Sequence, residues 1–516
     1  MQHSDQLVAI EARLDRHWGP EGYAAPNEQV YPWQWLWDSC FHVVIWAALG
    51  RPERAVTELT QALSTQDAHG FVPHMNYQRD PGAHADLWGR TGASSITQPP
   101  MFGHAVADLC RRSIVLDAAL LDRARWGLQF LLADRCRHAS GLVELCHPWE
   151  TGADDSPRWD DMCPGDGFDL DRWRAHKSDL VAAIERNGVG SPIANPEFPV
   201  ASVGFNALIA FNCFELAEVD DHPETQALIA PAAELVSRIE ARWDAGLITW
   251  VDAGPTEAGS GRTRSLDAML GLLVVGDKAQ LDAGFAALLD PAAYGGPYGP
   301  AGVHRAEAMF APRTYWRGPA WPQLSYLLWV AARRAGRTEQ VGRIGIGLGS
   351  RAGHPGRRRL GSGALGRRRA GLGRCRRRVG RRGLRGAARG RGARELGRNR
   401  DVLGADGFGR GARQGLQARD AVGLVLVVRV LGEAFQQGQV GLDGRAHRAG
   451  HAASQGSQLA HVLSQAAGLA VGGGEDLLGL DLGGADAGLG LLLGGAAQVV
   501  GDALGRDERI AERLLV

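Results

Sequence analysis

Through the first 345 residues, apolar positions recur at helical spacing. Cys40 to Leu49 is apolar almost all round, the pattern of a helix buried on every side. Gly50 then falls at a helix C-cap, and Pro52 at a first turn, where a missing N–H costs nothing. Ala55, Val56, Leu59 and Leu63 follow on one stripe, as on a helix with one face in water. The stretches 98–114, 117–135, 199–218, 223–242 and 319–335 continue this alternation of inner and outer helices. No strand array and no glycine-rich nucleotide loop interrupts it. The pattern predicts an all-α fold of paired helices closing into a ring. Three polar connections are long, 67–97, 144–173 and 291–316, and carry Trp, Asp, His, Gly and Pro. Long loops on a helical scaffold are where chemistry usually sits.

The pattern stops near residue 345. All 15 tryptophans and all 7 tyrosines lie at or before Trp329, and only one proline, Pro355, follows Pro322. Residues 351–400 hold 19 arginines, and the text beyond is largely Gly, Ala, Leu, Val, Asp and Gln. Glycine at that density is costly in helices, and aromatic anchors for a core are missing. Two segments are therefore expected: a helical domain at 1–345 and a low-complexity segment at 346–516. The arginine runs would suit phosphate neutralisation. The alternative is a frameshift near residue 345. The chain has 2 lysines, Lys177 and Lys278, against 55 arginines, as a GC-rich gene gives, and such a gene misread yields Arg, Gly, Ala and Leu. The frameshift is the expectation taken forward, with no nucleic-acid partner.

Net charge is zero, so no overall field favours polyanions. Met1 to Pro20 lacks the basic and apolar segments of a signal peptide, and no apolar run before 345 is long enough to span a bilayer. The 7 cysteines are scattered without metal-site spacing and read as buried thiols in a reducing compartment. A cytoplasmic location without membrane contact is expected.

Four stretches carry chemistry. Tyr31-Pro-Trp-Gln-Trp-Leu-Trp-Asp-Ser-Cys-Phe-His42 sets alternate tryptophans beside Asp38. Indole faces stack on the apolar face of a pyranose, and a carboxylate accepts from its hydroxyls. Phe71-Val-Pro-His-Met75 and Ser95-Ile-Thr-Gln-Pro-Pro-Met101 place His74 and Gln98 in loops entering helices. The stretch from His147 concentrates acids, Glu150, Asp154, Asp155, Asp160 and Asp161, next to Trp149 and Trp159. A carboxyl among aromatic walls is desolvated and keeps its proton to higher pH, as a general acid requires. Arg313-Thr-Tyr-Trp-Arg-Gly-Pro-Ala-Trp-Pro-Gln323 is a further aromatic and arginine loop. For His74 and Gln98 taken singly, a structural role is the competing reading; for the acidic stretch, a solvated loop or a calcium site.

Together these stretches resemble the glycoside hydrolase family 63 group, in particular its bacterial mannosylglycerate and glucosylglycerate hydrolases. The Trp-Leu-Trp-Asp-Ser-Cys-Phe-His, Gly-x-Asp-Asp-Ser-Pro-Arg and Tyr-Trp-Arg-Gly-Pro-x-Trp-Pro segments match in order and spacing, over roughly residues 15–340. The resemblance implies an (α/α)6 barrel, a six-hairpin glycosidase incomplete at its C-terminal end, that acts on α-linked glucose or mannose with inversion. It implies Asp154 as general acid, with Asp155 where the family usually has Asn. Tyr31, Trp35, Trp37, Asp38, His74, Gln98, Tyr315, Trp316 and Gly318 match sugar-subsite positions. An arginine within 162–197, read as a loop over the site, would hold a glycerate carboxylate or brace the loop. The carboxyls suffice for the chemistry, so neither a metal nor an organic cofactor is expected; a carbohydrate is the expected partner. The family's general base is a glutamate near the end of the barrel, in an aromatic context. After residue 345 no glutamate stands in one. The competing function is a carbohydrate-binding remnant without turnover, and behind it a trehalase-like or glucoamylase-like activity.

Overall fold

The computed structural model describes residues 3–27, 31–255 and 262–337. Both the segment 346–516 and the glutamates in it lie outside these residues.

Helices arise in pairs, one wrapped in protein and the next half in water. After α1 (His3–His17), a two-residue strand β1 (Gln34–Trp35) leads straight into α2 (Leu36–Ala48), ten of whose thirteen side chains are buried. Gly50 follows in the left-handed conformation, and α3 (Pro52–Ala62) buries only Ala55, Glu58, Leu59 and Ala62. Strand β2 (Met75–Asn76) pairs antiparallel with β1, and α4 (Ala85–Trp88) is a single turn. The inner α5 (Phe102–Arg111) and outer α6 (Ala118–Ala133) form the next pair, α6 being capped by Asp117, which accepts from the Ala119 N–H. Helix α7 (Leu170–Ala182) comes next. The inner α8 (Val203–Ala217), with thirteen of fifteen residues buried and Ser202 as cap, is followed by α9 (Pro223–Gln226) and the outer α10 (Ile229–Glu240). A fully buried 3-10 segment, Asp267–Leu273, pairs with the outer α11 (Lys278–Leu289), and the inner α12 (Pro322–Arg334) closes the described chain.

The inner elements follow one another around an axis. Helix α2 touches α5, α5 touches α8, α8 touches the 3-10 segment, and that segment touches α12. Each outer helix lies on its own inner partner. This is the helical-hairpin barrel expected from the alternation, with five inner elements among the described residues. Three small two-stranded ribbons are its only sheets among them.

Two expectations are corrected. The stretch 162–197 is not a loop throughout: its centre is α7, which buries Trp173, Lys177, Leu180 and Val181. The helix expected over 223–242 is two helices. Pro231 has no N–H for the Ala227 carbonyl, so the chain stops after Gln226 and starts a new first turn in which a proline fits.

Near the C-terminal end of α8, Glu215 accepts from His104 in the first turn of α5 (2.8 Å), from Arg111 at the end of α5 (2.6 Å) and from Arg334 at the end of α12 (2.5 Å). His104 Nε2 lies 2.8 Å from the Tyr326 hydroxyl of α12. One carboxylate thus joins three inner helices, with cations placed where helix dipoles favour them.

Candidate active site

The chemistry-bearing loops gather at the opposite, N-terminal ends of the inner helices. The segment from Tyr31 enters α2, Ser95–Met101 enters α5, two 3-10 turns (Pro148–Thr151 and Pro157–Met162) precede α7, and Arg313–Trp321 enters α12.

Short contacts join these loops. The Tyr31 ring meets Trp35 edge-on at 5.4 Å, and its hydroxyl lies 3.4 Å from that of Tyr315. Tyr315 in turn donates to Asp154 Oδ2 at 3.4 Å and sits edge-on to Trp316 and Trp321. Trp316 stacks on Trp321, centroids 3.9 Å apart, and holds a φ of 57°, which non-glycine residues rarely adopt. Gly318 is required by close approach, since a Cβ there would collide with the Ala311 carbonyl. Arg317 grips Asp160 with both guanidinium nitrogens and so ties the α12 loop to the acidic loop.

Trp37 is buried under that acidic loop. Gly152, at φ 69°, leaves room for it, since a Cβ would run into the indole. The Trp37 N–H donates to Gln98 Oε1 at 3.2 Å, which links the α2 and α5 entries. Trp35, Trp37, Asp154 and Trp316 are therefore brought to one end of the barrel. His74 stands behind Trp35, ring centroids 5.3 Å apart. Its Nδ1 lies 2.6 Å from the Ser94 hydroxyl, and burial pushes its pKa down to about 3.

The carboxyls of the acidic loop differ sharply. Glu150 accepts from Arg135 twice and from the N–H groups of Thr97 and Cys146. Asp155 pairs with Lys177 at 2.6 Å, both side chains buried. Asp154 has the Tyr315 hydroxyl. Burial pushes Asp154 up to about 7; Lys177 and the Tyr315 hydrogen bond oppose this, and Asp155 and Asp38 add to it. Half-buried Asp38, at the start of α2, is pushed up to about 6, chiefly by burial and against the pull of His42. The charge of Asp38 adds to the upward push on Asp154, as expected for two carboxyls near one end of the barrel.

Residues that sequence reading passed over hold this end together. Arg158 is buried between Asp252 (2.6 Å) and Asp267 (2.5 Å), which fastens the acidic loop to the α8 entry and the 3-10 segment. Trp173 of α7 donates to the Asp154 carbonyl at 3.2 Å. The Arg158 role had no local signal, because its partners are 94 and 109 residues away. Lys177 did have one, as one of two lysines in a chain that otherwise uses arginine.

Aromatic and acidic loops crowning one end of a helical-hairpin barrel define a glycoside hydrolase. The chain belongs to the mannosylglycerate hydrolase MGH1-like glycoside hydrolase domain family, whose profile matches residues 31–346. It is 29% identical to the glucosylglycerate hydrolase of Mycolicibacterium hassiacum, over 64% of this chain and 86% of that protein. It is 28% identical to the mannosylglycerate hydrolase of Thermus thermophilus, over 59% and 83% respectively. Its fold is similar to that of a family 63 mannosylglycerate hydrolase from Thermus thermophilus, solved in complex with Tris. That match has a TM-score of 0.56 at 23% identity, covering 66% of this chain and 91% of that one. No helix among the described residues is long and apolar enough to cross a membrane.

Proposed function

We propose that the site cleaves an α-linked glucoside or mannoside of a small acid such as glycerate, with inversion, and that Asp154 is the general acid. The observation that carries this is the contrast between the paired Asp155 and the nearly unpartnered Asp154, whose carboxyl titrates near 7. At neutral pH Asp154 holds its proton in a large fraction of molecules and is ready to protonate a departing glycosidic oxygen. Trp35, Trp316 and Tyr31 offer ring faces and edges to a pyranose, and Asp38 accepts from its hydroxyls. An inverting reaction also needs a base about 6.5–9.5 Å from the acid, with a water between. Among the described carboxyls Glu58, Glu150, Asp155, Asp160, Asp252 and Asp267 are all engaged by cations or ring N–H groups.

The expected place of the base falls after residue 345, in the stretch we read as out of frame. The end of the family match at residue 346 supports this division of the chain into 1–345 and 346–516. The nucleotide sequence through codon 345 tests it, since an intact frame there removes the idea. The frame-restored enzyme is expected to release sugar from glucosylglycerate or mannosylglycerate. Substituting Asp154→Asn is expected to abolish this; full activity in that variant would take Asp154 out of the role. The engagement of Asp155, Asp160, Asp252 and Asp267 favours a second reading for the chain as it stands, sugar binding without turnover. Calorimetric binding without sugar release would support it.

The names of the relatives motivate glycerate as the aglycone, and its carboxylate needs a cation. Arg172 is taken by the carbonyls of Pro164, Asp166 and Gly167, and Lys177 by Asp155. Arg186 is exposed beside the α5 entry, and its hydrogen bonds go to neutral oxygens of Ile184 and Ser95. Within 162–197 it is our choice for the carboxylate-holding arginine.

A further inference from the structure

Asp154 and Asp155 are neighbours in sequence, Asp155 buried and Asp154 half-buried beside it. Two like charges so placed cannot both ionise without a cation, and one of them would stay protonated far above neutrality. Helix α7 supplies the cation. The Lys177 ammonium is 2.6 Å from Asp155 Oδ1 and lies over the rings of Trp149 (5.5 Å) and Trp173 (5.9 Å), where water screens it little. Two further bonds fix the helix that carries it. His147 Nε2 is 2.8 Å from the Lys177 carbonyl oxygen, and the Trp173 indole donates to the Asp154 backbone. The lysine is therefore locked to the loop that presents the acid.

We propose that Lys177 is a positioning residue for the reaction: by neutralising Asp155 it sets the proton affinity of Asp154. This rests on the reading of Asp154 as proton donor. The groups facing Asp154 are Asp155 on its own loop, Lys177 from α7, Tyr315 (with Tyr31 behind it) from the α12 entry, and Asp38 from the start of α2. Lys177 is the only cation in that set. Of the charges acting on Asp154 its pull is the largest, against the upward push of burial. A purely structural lysine would anchor α7 and leave the titration of Asp154 untouched.

The experiment follows the carboxyl carbons of the full chain, labelled with aspartate carrying carbon-13 at the γ position, by NMR across pH. The Asp154 signal is the one lost in Asp154→Asn. The decisive comparison is Asp155→Asn against Asp155→Asn/Lys177→Met, because neither leaves a carboxylate stranded beside Asp154 and both are expected to fold. With Asp155 gone, the freed ammonium should pull the Asp154 midpoint down by about one unit or more, as an opposite charge at close range does. Removing Lys177 as well should bring the midpoint back up by a similar amount. Lys177→Met alone, where it folds, should give the highest midpoint of all. Equal midpoints in the single Asp155→Asn and the double variant would overturn the proposal. If instead no signal titrating near neutrality disappears in Asp154→Asn, the assignment of Asp154 as proton donor falls first, and the proposal with it.

Discussion

Glu215, near the end of the inner helix α8, and Asp154, between the two 3-10 turns of the acidic loop, are both carboxyls drawn in from water, and the fold treats them in opposite ways. Burial alone would raise Glu215, but the hydrogen bonds and charges of His104 and Arg111 overcome it and hold the carboxyl down to about 2. Arg334 adds a further partner, and the group binds α5, α8 and α12 into one body. Asp154 receives one long hydroxyl contact, and burial carries it up to about 7. A fully bonded carboxylate has no lone pair left for a substrate, whereas an under-bonded one is costly until something binds it. The C-terminal end of the barrel is built to be satisfied, and the N-terminal end is built to be incomplete.

The largest effect should come from Asp154→Asn. In the frame-restored enzyme it should lower kcat on substrates with poor leaving groups by about 10²–10⁴-fold. The same change should stabilise the protein. Between the usual carboxylate range and pH 7, folded Asp154 holds a proton that the unfolded chain releases, so its contribution to stability falls as pH rises through that window. Asn removes that loss. Thermal unfolding at pH 8 should show a higher Tm than the native chain, with the difference vanishing below pH 4. A lower Tm at pH 8 would mean that the site is not strained in this way.

Glu215→Gln should do the reverse, costing about 2–4 kcal/mol near neutral pH, after discounting for the partly exposed Arg111 and Arg334. Glu215 is held below its unfolded value, so its stabilisation is complete above about 4.5 and is lost as pH falls towards 2. Urea unfolding of the Gln variant should therefore lose stability less steeply with acid than the native chain. A parallel pH dependence would remove Glu215 from this role.

A smaller loss, about 1–3 kcal/mol, is expected for Gly318→Ala, because the added methyl meets backbone that cannot swing aside. Its cost should fall on the loop carrying Tyr315 and Trp316, so sugar binding should weaken more than the global Tm falls. An unchanged affinity would show that this loop has room to adjust.

Much of the scaffold was legible because burial leaves a periodic trace. Helix α2 is apolar all round and α3 has one stripe, which is enough to separate inner from outer. Helix α7 left no such trace: its buried face runs Trp173, Lys177, Leu180 and Val181, and the lysine breaks the apolar stripe. The loops of the site could be picked out by their tryptophans and acids, but not which acid is free. That depends on Lys177, 22 residues from Asp155, and on Tyr315, 161 residues from Asp154. Local sequence carries no record of such distances.

Arg186 extends the same contrast to cations. Arg158 is closed off by two carboxylates, whereas the hydrogen bonds of Arg186 run to the Ile184 carbonyl and the Ser95 hydroxyl. Its neighbour Arg90 is held below the usual guanidinium range by burial, which Asp67 opposes and to which the charge of Arg186 adds a smaller push. An anion arriving between them would relieve that repulsion, so a substrate carboxylate gains there what a neutral aglycone cannot. Arg186→Met should therefore weaken calorimetric binding of glucosylglycerate about tenfold, roughly 1.4 kcal/mol, while binding of methyl α-glucoside stays as it was. Equal weakening of both ligands would make Arg186 a brace for the Ser95 loop and leave the glycerate carboxylate to another cation.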